Sequence, residues 1–271
     1  MIDLAAVDFR YGTNQVLRDC SLRAGAGESV ALFGANGAGK STILRLCLAL
    51  LHPAAGRVRV AGIDTAGLAP EDLAGAVGYL FQRPEDQLVR TTVLREVGYG
   101  PERLGWAPGR IEEAVRAVLE RCGLADQADT HPYDLPLPKR RLVALASVLV
   151  MEPKVLLLDE PTALLDRHGR ALVAEVVRER AAAGCTVLAV VHDPAFAIEA
   201  LDRAVALAHQ HGSALIEAEA REARARLRTA SGDAEGPLED ARIAIMLFGR
   251  LGATRQQGAI ERWLSELNLS S

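Results

Sequence analysis

Gly34-Ala35-Asn36-Gly37-Ala38-Gly39-Lys40-Ser41-Thr42 holds the residues of this chain whose types and spacing are best suited to chemistry. The order G-x-x-x-x-G-K-[ST] is that of a phosphate-binding loop. Gly34, Gly37 and Gly39 let the backbone bend so that successive N–H groups converge on phosphate oxygens, with Asn36, Ala38 and Thr42 completing the cradle. Lys40 would reach the β- and γ-phosphates of a nucleoside triphosphate, and Ser41 would offer its hydroxyl to Mg²⁺. A second stretch, Val155-Leu156-Leu157-Leu158-Asp159-Glu160-Pro161-Thr162, supplies the acids such a ligand needs. Four apolar residues followed by two carboxylates describe a buried strand that delivers acids to its C-terminal edge, where open α/β sheets bind ligands. Asp159 is placed to hold Mg²⁺, directly or through water. Glu160 is placed to take a proton from, or orient, an attacking water.

These residues need elements to position them, and the flanking sequence provides them. Ser29-Val30-Ala31-Leu32-Phe33 reads as a short buried strand running into the loop, and Ile43 to Leu50 as the helix leaving it, whose N-terminus adds its positive dipole end. Residues 2–33 and 57–63 carry short apolar or alternating runs broken by glycine, which predicts antiparallel hairpins. Gly78-Tyr79-Leu80-Phe81-Gln82 reads as the end of another strand. From Arg83 to about Leu124 the pattern turns helical: Ile111, Val115, Val118, Leu119 and Cys122 share a face, and Gly123 suits the position just past a helix end. Further helices are expected over Lys139 to Met151 and Gly169 to Ala183, with a strand over Thr186 to Val191. Beyond about His211 the chain alternates charge with alanine and ends in two weaker helical patterns.

Composition bounds the function classes. With 49% hydrophobic and 24% charged residues over 271 positions, the chain can bury a sizeable core, so global disorder is excluded. A net charge of −4 without a basic stripe argues against a nucleic-acid partner. Cys20, Cys47, Cys122 and Cys185 are far apart with no CxxC pair, which makes them small core residues and not a metal or disulfide framework. Met1-Ile2-Asp3-Leu4 lacks the basic-then-apolar order of a signal peptide. The longest apolar run, Leu142 to Met151, is too short to cross a bilayer, so any membrane role is expected to come through a partner.

Asp159-Glu160-Pro161-Thr162 after an aliphatic strand, with the phosphate loop upstream and His192 downstream, resembles the nucleotide-binding subunit of ATP-binding-cassette (ABC) transporters. The resemblance covers residues 2 to about 210. It implies an α/β P-loop NTPase fold of the ABC ATPase type, with a β-rich N-terminal subdomain and an inserted helical subdomain over about 84–151. Residues 211–271 are then a small C-terminal extension. The resemblance further implies that Tyr11 stacks on adenine and that Gln82 touches Mg²⁺ and senses a transmembrane partner. It implies that Asp166 is an aspartate of the loop after the acids, and that His192 lies near the γ-phosphate. ATP and Mg²⁺ are the expected cofactors. Phe81-Gln82-Arg83-Pro84-Glu85-Asp86-Gln87-Leu88 and Val97-Gly98-Tyr99-Gly100-Pro101 are similar to energy-coupling-factor importers and their cobalt- and nickel-uptake relatives. Residues Pro84 to Thr91 would then meet a transmembrane coupling subunit, with the chain cytoplasmic and peripheral on the inner face of the membrane. A soluble ABC protein using ATP as a conformational switch is the alternative. A P-loop kinase is disfavoured, because it leaves Gln82 and His192 without a role.

One segment departs from the family. Where its members carry Leu-Ser-Gly-Gly-Gln, this chain reads Leu135-Pro136-Leu137-Pro138-Lys139. The serine hydroxyl is gone, the two prolines have no N–H to offer a γ-phosphate, and Leu137 puts a branched side chain where close approach needs glycine. Pro138 is expected to begin a helix at its first position, where proline loses nothing. In ABC dimers each ATP lies between one subunit's phosphate loop and the other's signature. The expectation is therefore a heterodimer with a second ABC ATPase subunit whose signature is intact, although homodimers are commoner in general.

Overall fold

The computed structural model describes residues 1–34 and 36–191, positions 196, 200, 201 and 203–206, and parts of the C-terminal segment (222, 225, 229, 241, 242, 244–246 and 254–269). The chain opens with a long antiparallel hairpin, β1 (Ile2–Tyr11) and β2 (Asn14–Ala24), turned at Gly12 with φ +57°. β3 (Ser29–Phe33) follows, then α1 (Lys40–Cys47), β4 (Ala55–Val60) and β5 (Ile63–Asp64). After β6 (Val77–Leu80) come three helices, α2 (Val93–Arg103), α3 (Pro108–Arg121) and α4 (Leu137–Leu149). The chain then returns to α/β alternation with β7 (Val155–Asp159), α5 (Arg167–Ala182), β8 (Thr186–Val190) and β9 (Arg203–Ala206). The last described helix is α6 (Thr254–Leu269).

Two sheets result. The antiparallel one has the order β2-β1-β4-β5, and the parallel one the order β6-β7-β8-β3-β9. Although β3 directly follows the hairpin, it leaves that sheet for an interior position in the parallel one, where it pairs with β8 and β9. Its five residues are all buried, as are those of β7 and β8, because both faces of this sheet are covered. The two-residue period divides them: Val30, Leu32, Val155 and Leu157 enter the core beneath the antiparallel sheet and α1. Ala31, Phe33, Leu156 and Leu158 enter the core shared with α2 to α5.

The helical stretch is two helices, not a continuous pattern from Arg83. A short 3₁₀ turn at Pro84–Asp86 precedes α2, and Gly105 with φ +74° separates α2 from α3. Val115, Leu119 and Cys122 are buried on the expected face, and Gly123 with φ +64° follows the C-cap Cys122. α4 begins at Leu137, two residues earlier than the sequence suggested, so Pro138 occupies the second helical position. The reason is that the second N–H of a helix also lacks an intrahelical acceptor, so proline costs nothing there either. The cysteines are free, and burial pushes the Cys47 and Cys122 thiols up to about 12, as fits core residues. No described helix is long and apolar enough to cross a membrane. In the C-terminal segment Ala225, Ala241, Ala244 and Ile260 are buried against Ile245, Trp263 and Leu264.

Candidate functional site

Parallel pairing brings the site together at one sheet edge. The register sets Leu32 beside Val190, Val190 beside Asp159, and Leu80 beside Leu158. The residues that leave β3, β6 and β7 at their C-terminal ends are therefore neighbours in space. The phosphate loop leaves β3, Gln82 lies two residues past β6, and Glu160 directly follows β7. Around them is a cleft of about 970 Å³ lined by Tyr11, Gly37, Lys40, Ser41, Gln82 and Glu160 among others.

In the loop, Gly37 and Gly39 have φ of +84° and +93°, and Gly39 is the N-cap of α1. Lys40 is buried at 7% exposure and donates from Nζ to the Gly34 carbonyl at 2.6 Å, closing the loop on itself. Burial lowers its pKa, while the nearby Glu160 and Asp159 carboxylates favour its charge. Gly34, Asn36, Gly37, Gly39, Lys40, Ser41 and Thr42 line the cleft; Ala38 is buried behind it. Ala35 and His192 lie outside the described residues. Tyr11, at the end of β1, is 42% exposed, its ring edge-on to Phe9 and its hydroxyl 3.5 Å from Thr42 Oγ1. A half-exposed ring at the mouth of such a cleft offers a flat face for a base.

The two acids differ. Asp159 is buried, and burial raises its pKa, opposed by hydrogen bonds from Ser41 and Tyr79. Tyr79 Oη donates to Asp159 Oδ2 at 3.4 Å, and burial beside that carboxylate raises the phenol's pKa in turn. Glu160 keeps a face to the cleft and has φ +51°. Its N–H donates to the Val190 carbonyl at 3.0 Å, and its Oε1 accepts from Gln82 Nε2 at 3.1 Å. Asp166, by contrast, is occupied as the N-cap of α5, where its Oδ1 accepts from Gly169 N at 2.8 Å.

The Leu135–Lys139 segment lies at the start of α4. Pro136 is its N-cap without a side-chain bond, and Leu137 is 40% exposed. Arg140 folds back over the segment, donating from Nε to the Leu135 carbonyl at 2.7 Å.

Residues 17–163 match the model described as ABC transporter, more than half of the chain. This chain belongs to the ABC transporter family. A putative ABC transporter ATP-binding protein of Gloeobacter violaceus is 42% identical over 191 residues, which cover 70% of this chain and 77% of that protein. One from Streptomyces coelicolor is 37% identical, with coverage of 76% and 78%. A longer relative from Bifidobacterium longum is 36% identical, but the match spans 28% of its length. Among solved structures, CbiO1 of Clostridium perfringens, described as part of the CbiONQ transporter complex, is 30% identical with a TM-score of 0.69, covering 76% of this chain and 84% of that one. The ABC cassette MJ0796, a dimer in a post-hydrolysis state with ADP and Pi, is 25% identical with a TM-score of 0.69, covering 76% and 94%. The fold expected from the resemblance is thus the fold found. The chain is an ABC-type ATPase that binds ATP.

Three contributors to this ABC site escaped the sequence reading. Tyr79, within the strand ending expected over Gly78 to Gln82, touches Asp159. Glu96, 3% exposed in α2, accepts from Val89 N at 2.7 Å and Arg90 N at 2.6 Å, pinning the loop after Gln82. Arg141, 2% exposed in α4, donates to the main chains of both Gln82 and Glu160. Its guanidinium is disfavoured by burial and supported by Glu160, Glu85 and Asp159. The available signal was periodic. Arg141 stands on the same helical stripe as Ala144, Leu145, Val148 and Leu149, all buried, and an arginine on a core stripe needs acceptors.

Proposed function

We propose that this chain is the ATP-hydrolysing subunit of an importer of the energy-coupling-factor or cobalt/nickel type, paired with a second ATPase subunit. The observation that carries the reading is the convergence of Lys40, Ser41, Gln82 and Glu160 on one cleft at the C-terminal edge of a parallel sheet, with the buried Asp159 hydrogen-bonded to Ser41. The likeness to CbiO1 supports the importer branch, since that protein is described as part of a CbiONQ complex. The ABC cassette is assigned to residues 1–210, its helical subdomain to about 84–151, and the extension to 211–271.

Within this reading Tyr11 stacks on adenine, Lys40 and the loop N–H groups bind the phosphates, and Glu160 takes the proton of the attacking water. Gln82 orients Glu160 through its amide, and His192 is assigned to the γ-phosphate on resemblance. A Mg²⁺ ion suits Ser41 and Asp159, with Gln82 as a further oxygen ligand, because a hydroxyl and a buried carboxylate already meet at the end of β7. When bound, the ion would neutralise charge on the β- and γ-phosphate oxygens. Pro136, Leu137 and Pro138 leave the signature half without its donors. The favoured assembly is therefore a heterodimer in which this chain's Glu160 faces the partner's intact signature. The Pro84–Thr91 loop meets the transmembrane coupling subunit at the inner face of the membrane.

Steady-state ATPase of the mixed dimer, with each subunit's glutamate changed to Gln in turn, tests this. Glu160→Gln should remove turnover by about 10²–10⁴-fold while ATP affinity is kept, and the partner's change should cost far less. Equal loss from both, or brisk turnover by this chain alone, would sink the asymmetric pairing. Cysteines at Glu85 or Gln87 should cross-link to the membrane subunit; no cross-link in an intact complex would favour the soluble switch.

A further inference from the structure

The hydrogen bonds of Arg141 form a closed ring around two site residues. Its Nη1 donates to the Glu160 carbonyl at 3.0 Å, and its Nη2 donates to the Gln82 carbonyl. The side chains of those same residues meet through Gln82 Nε2 and Glu160 Oε1 at 3.1 Å. Main chains and side chains of both residues are thus tied in one circuit whose third member, Arg141, sits on α4. The Glu160 peptide is held from both ends, its N–H by the Val190 carbonyl and its C=O by Arg141. It needs holding, because φ +51° is a region that a residue with a Cβ keeps only when its surroundings over-determine it.

Packing does not explain an arginine there. A buried cation costs desolvation that an apolar side chain of similar volume would avoid. What the guanidinium supplies, and an ammonium does not, is a planar fork that reaches two acceptors at a fixed separation. The acceptors belong to the exits of two different strands, β6 and β7. The same helix also anchors the next loop, since Gln87 Nε2 donates to the Ala144 carbonyl at 2.9 Å and to Ser147 Oγ at 3.1 Å.

We propose that Arg141 is a positioning residue for ATP hydrolysis: it locks the main chains of Gln82 and Glu160 to α4, so that the setting of the Glu160 carboxylate follows the position of that helix. A shift of α4, whether driven from its dimer-facing start or from the Gln87 loop, then reaches the catalytic glutamate within the same chain. The proposal rests on Glu160 acting on water.

The test uses the full chain assembled with its partner ATPase subunit and compares Arg141→Met, Arg141→Lys and Glu160→Gln. Arg141→Met should lower kcat by about 10–100-fold, the scale of a small misplacement of a reacting group, with KM and the Kd for a fluorescent ATP analogue within about twofold of wild type. Amide exchange should quicken at Phe81–Arg83 and Glu160–Ala163 while β7 stays protected. Arg141→Lys, which can serve one carbonyl, should recover part of the rate, and it carries the test if the Met variant does not fold. Wild-type kcat in both variants would overturn the proposal, as would a parallel loss of ATP binding and β7 protection. Wild-type turnover by Glu160→Gln would instead remove the catalytic assignment beneath it. The exchange data would then still report whether Arg141 holds the two main chains.

Discussion

α1 and α4 have first turns built from opposite materials. At α1 the N-cap is Gly39 with φ +93°, and Lys40, Ser41 and Thr42 follow, all with N–H groups to give. At α4 the N-cap is Pro136, and Pro138 lies one residue beyond Leu137, so two of the leading positions have no hydrogen to donate. The opening N–H groups of any helix lack intrahelical partners. On the function proposed above, the glycines at α1 turn that deficit into an anion cradle, and the prolines at α4 remove it by removing the donors. On that reading a helix start keeps its structural role without the capacity for a ligand. The two functions separate because helix entry needs only favourable φ, whereas phosphate binding needs hydrogens and close approach.

Rebuilding the poorer start should have the largest effect. Pro136→Ser with Leu137→Gly and Pro138→Gly should raise the ATPase rate of the chain alone by about 10²–10³-fold, the scale on which a single anion-stabilising donor acts. No gain in steady-state turnover by a well-folded variant would break the comparison. On the α1 side, Tyr11→Ala should weaken ATP binding by about 1–3 kcal/mol, the value of one stacked base, with little change in kcat at saturation. Titration calorimetry with ATP checks this, and an unchanged Kd would remove Tyr11 from the site.

Gly39→Ala should cost stability even without nucleotide. A Cβ there would lie 2.7 Å from Leu17 Cδ2, and the left-handed backbone adds about 1–2 kcal/mol for a residue other than glycine. Scanning calorimetry should show a lower Tm; an equal Tm would mean that β2 yields more readily than its packing indicates. The smallest effect is expected of Pro138→Ala, which should shift stability by no more than about 1 kcal/mol, because the second helical position loses no intrahelical bond either way. By itself it should restore no turnover, and a gain from this change alone would show that Leu137 is not an obstacle.

The sequence by itself determined what depends on neighbours along the chain. The loop from Gly34 to Thr42, the apolar run that delivers Asp159 and Glu160, and the two prolines at α4 were legible because each is contiguous and each obeys a local rule of sterics or donors. The fold class followed, since buried strands alternating with helices have few ways to pack. The tertiary structure decided what depends on register. It moved β3 out of the hairpin's sheet into the interior of the parallel one, and pairing of Leu80 with Leu158 brought Gln82 to Glu160 across 78 positions of sequence. It gave Asp166 to the cap of α5, and it made Arg141 the fastening of both site residues. No local pattern encodes these partnerships, because a hydrogen bond between distant residues depends on how strands slide and helices pack. Those choices are fixed by the whole core at once.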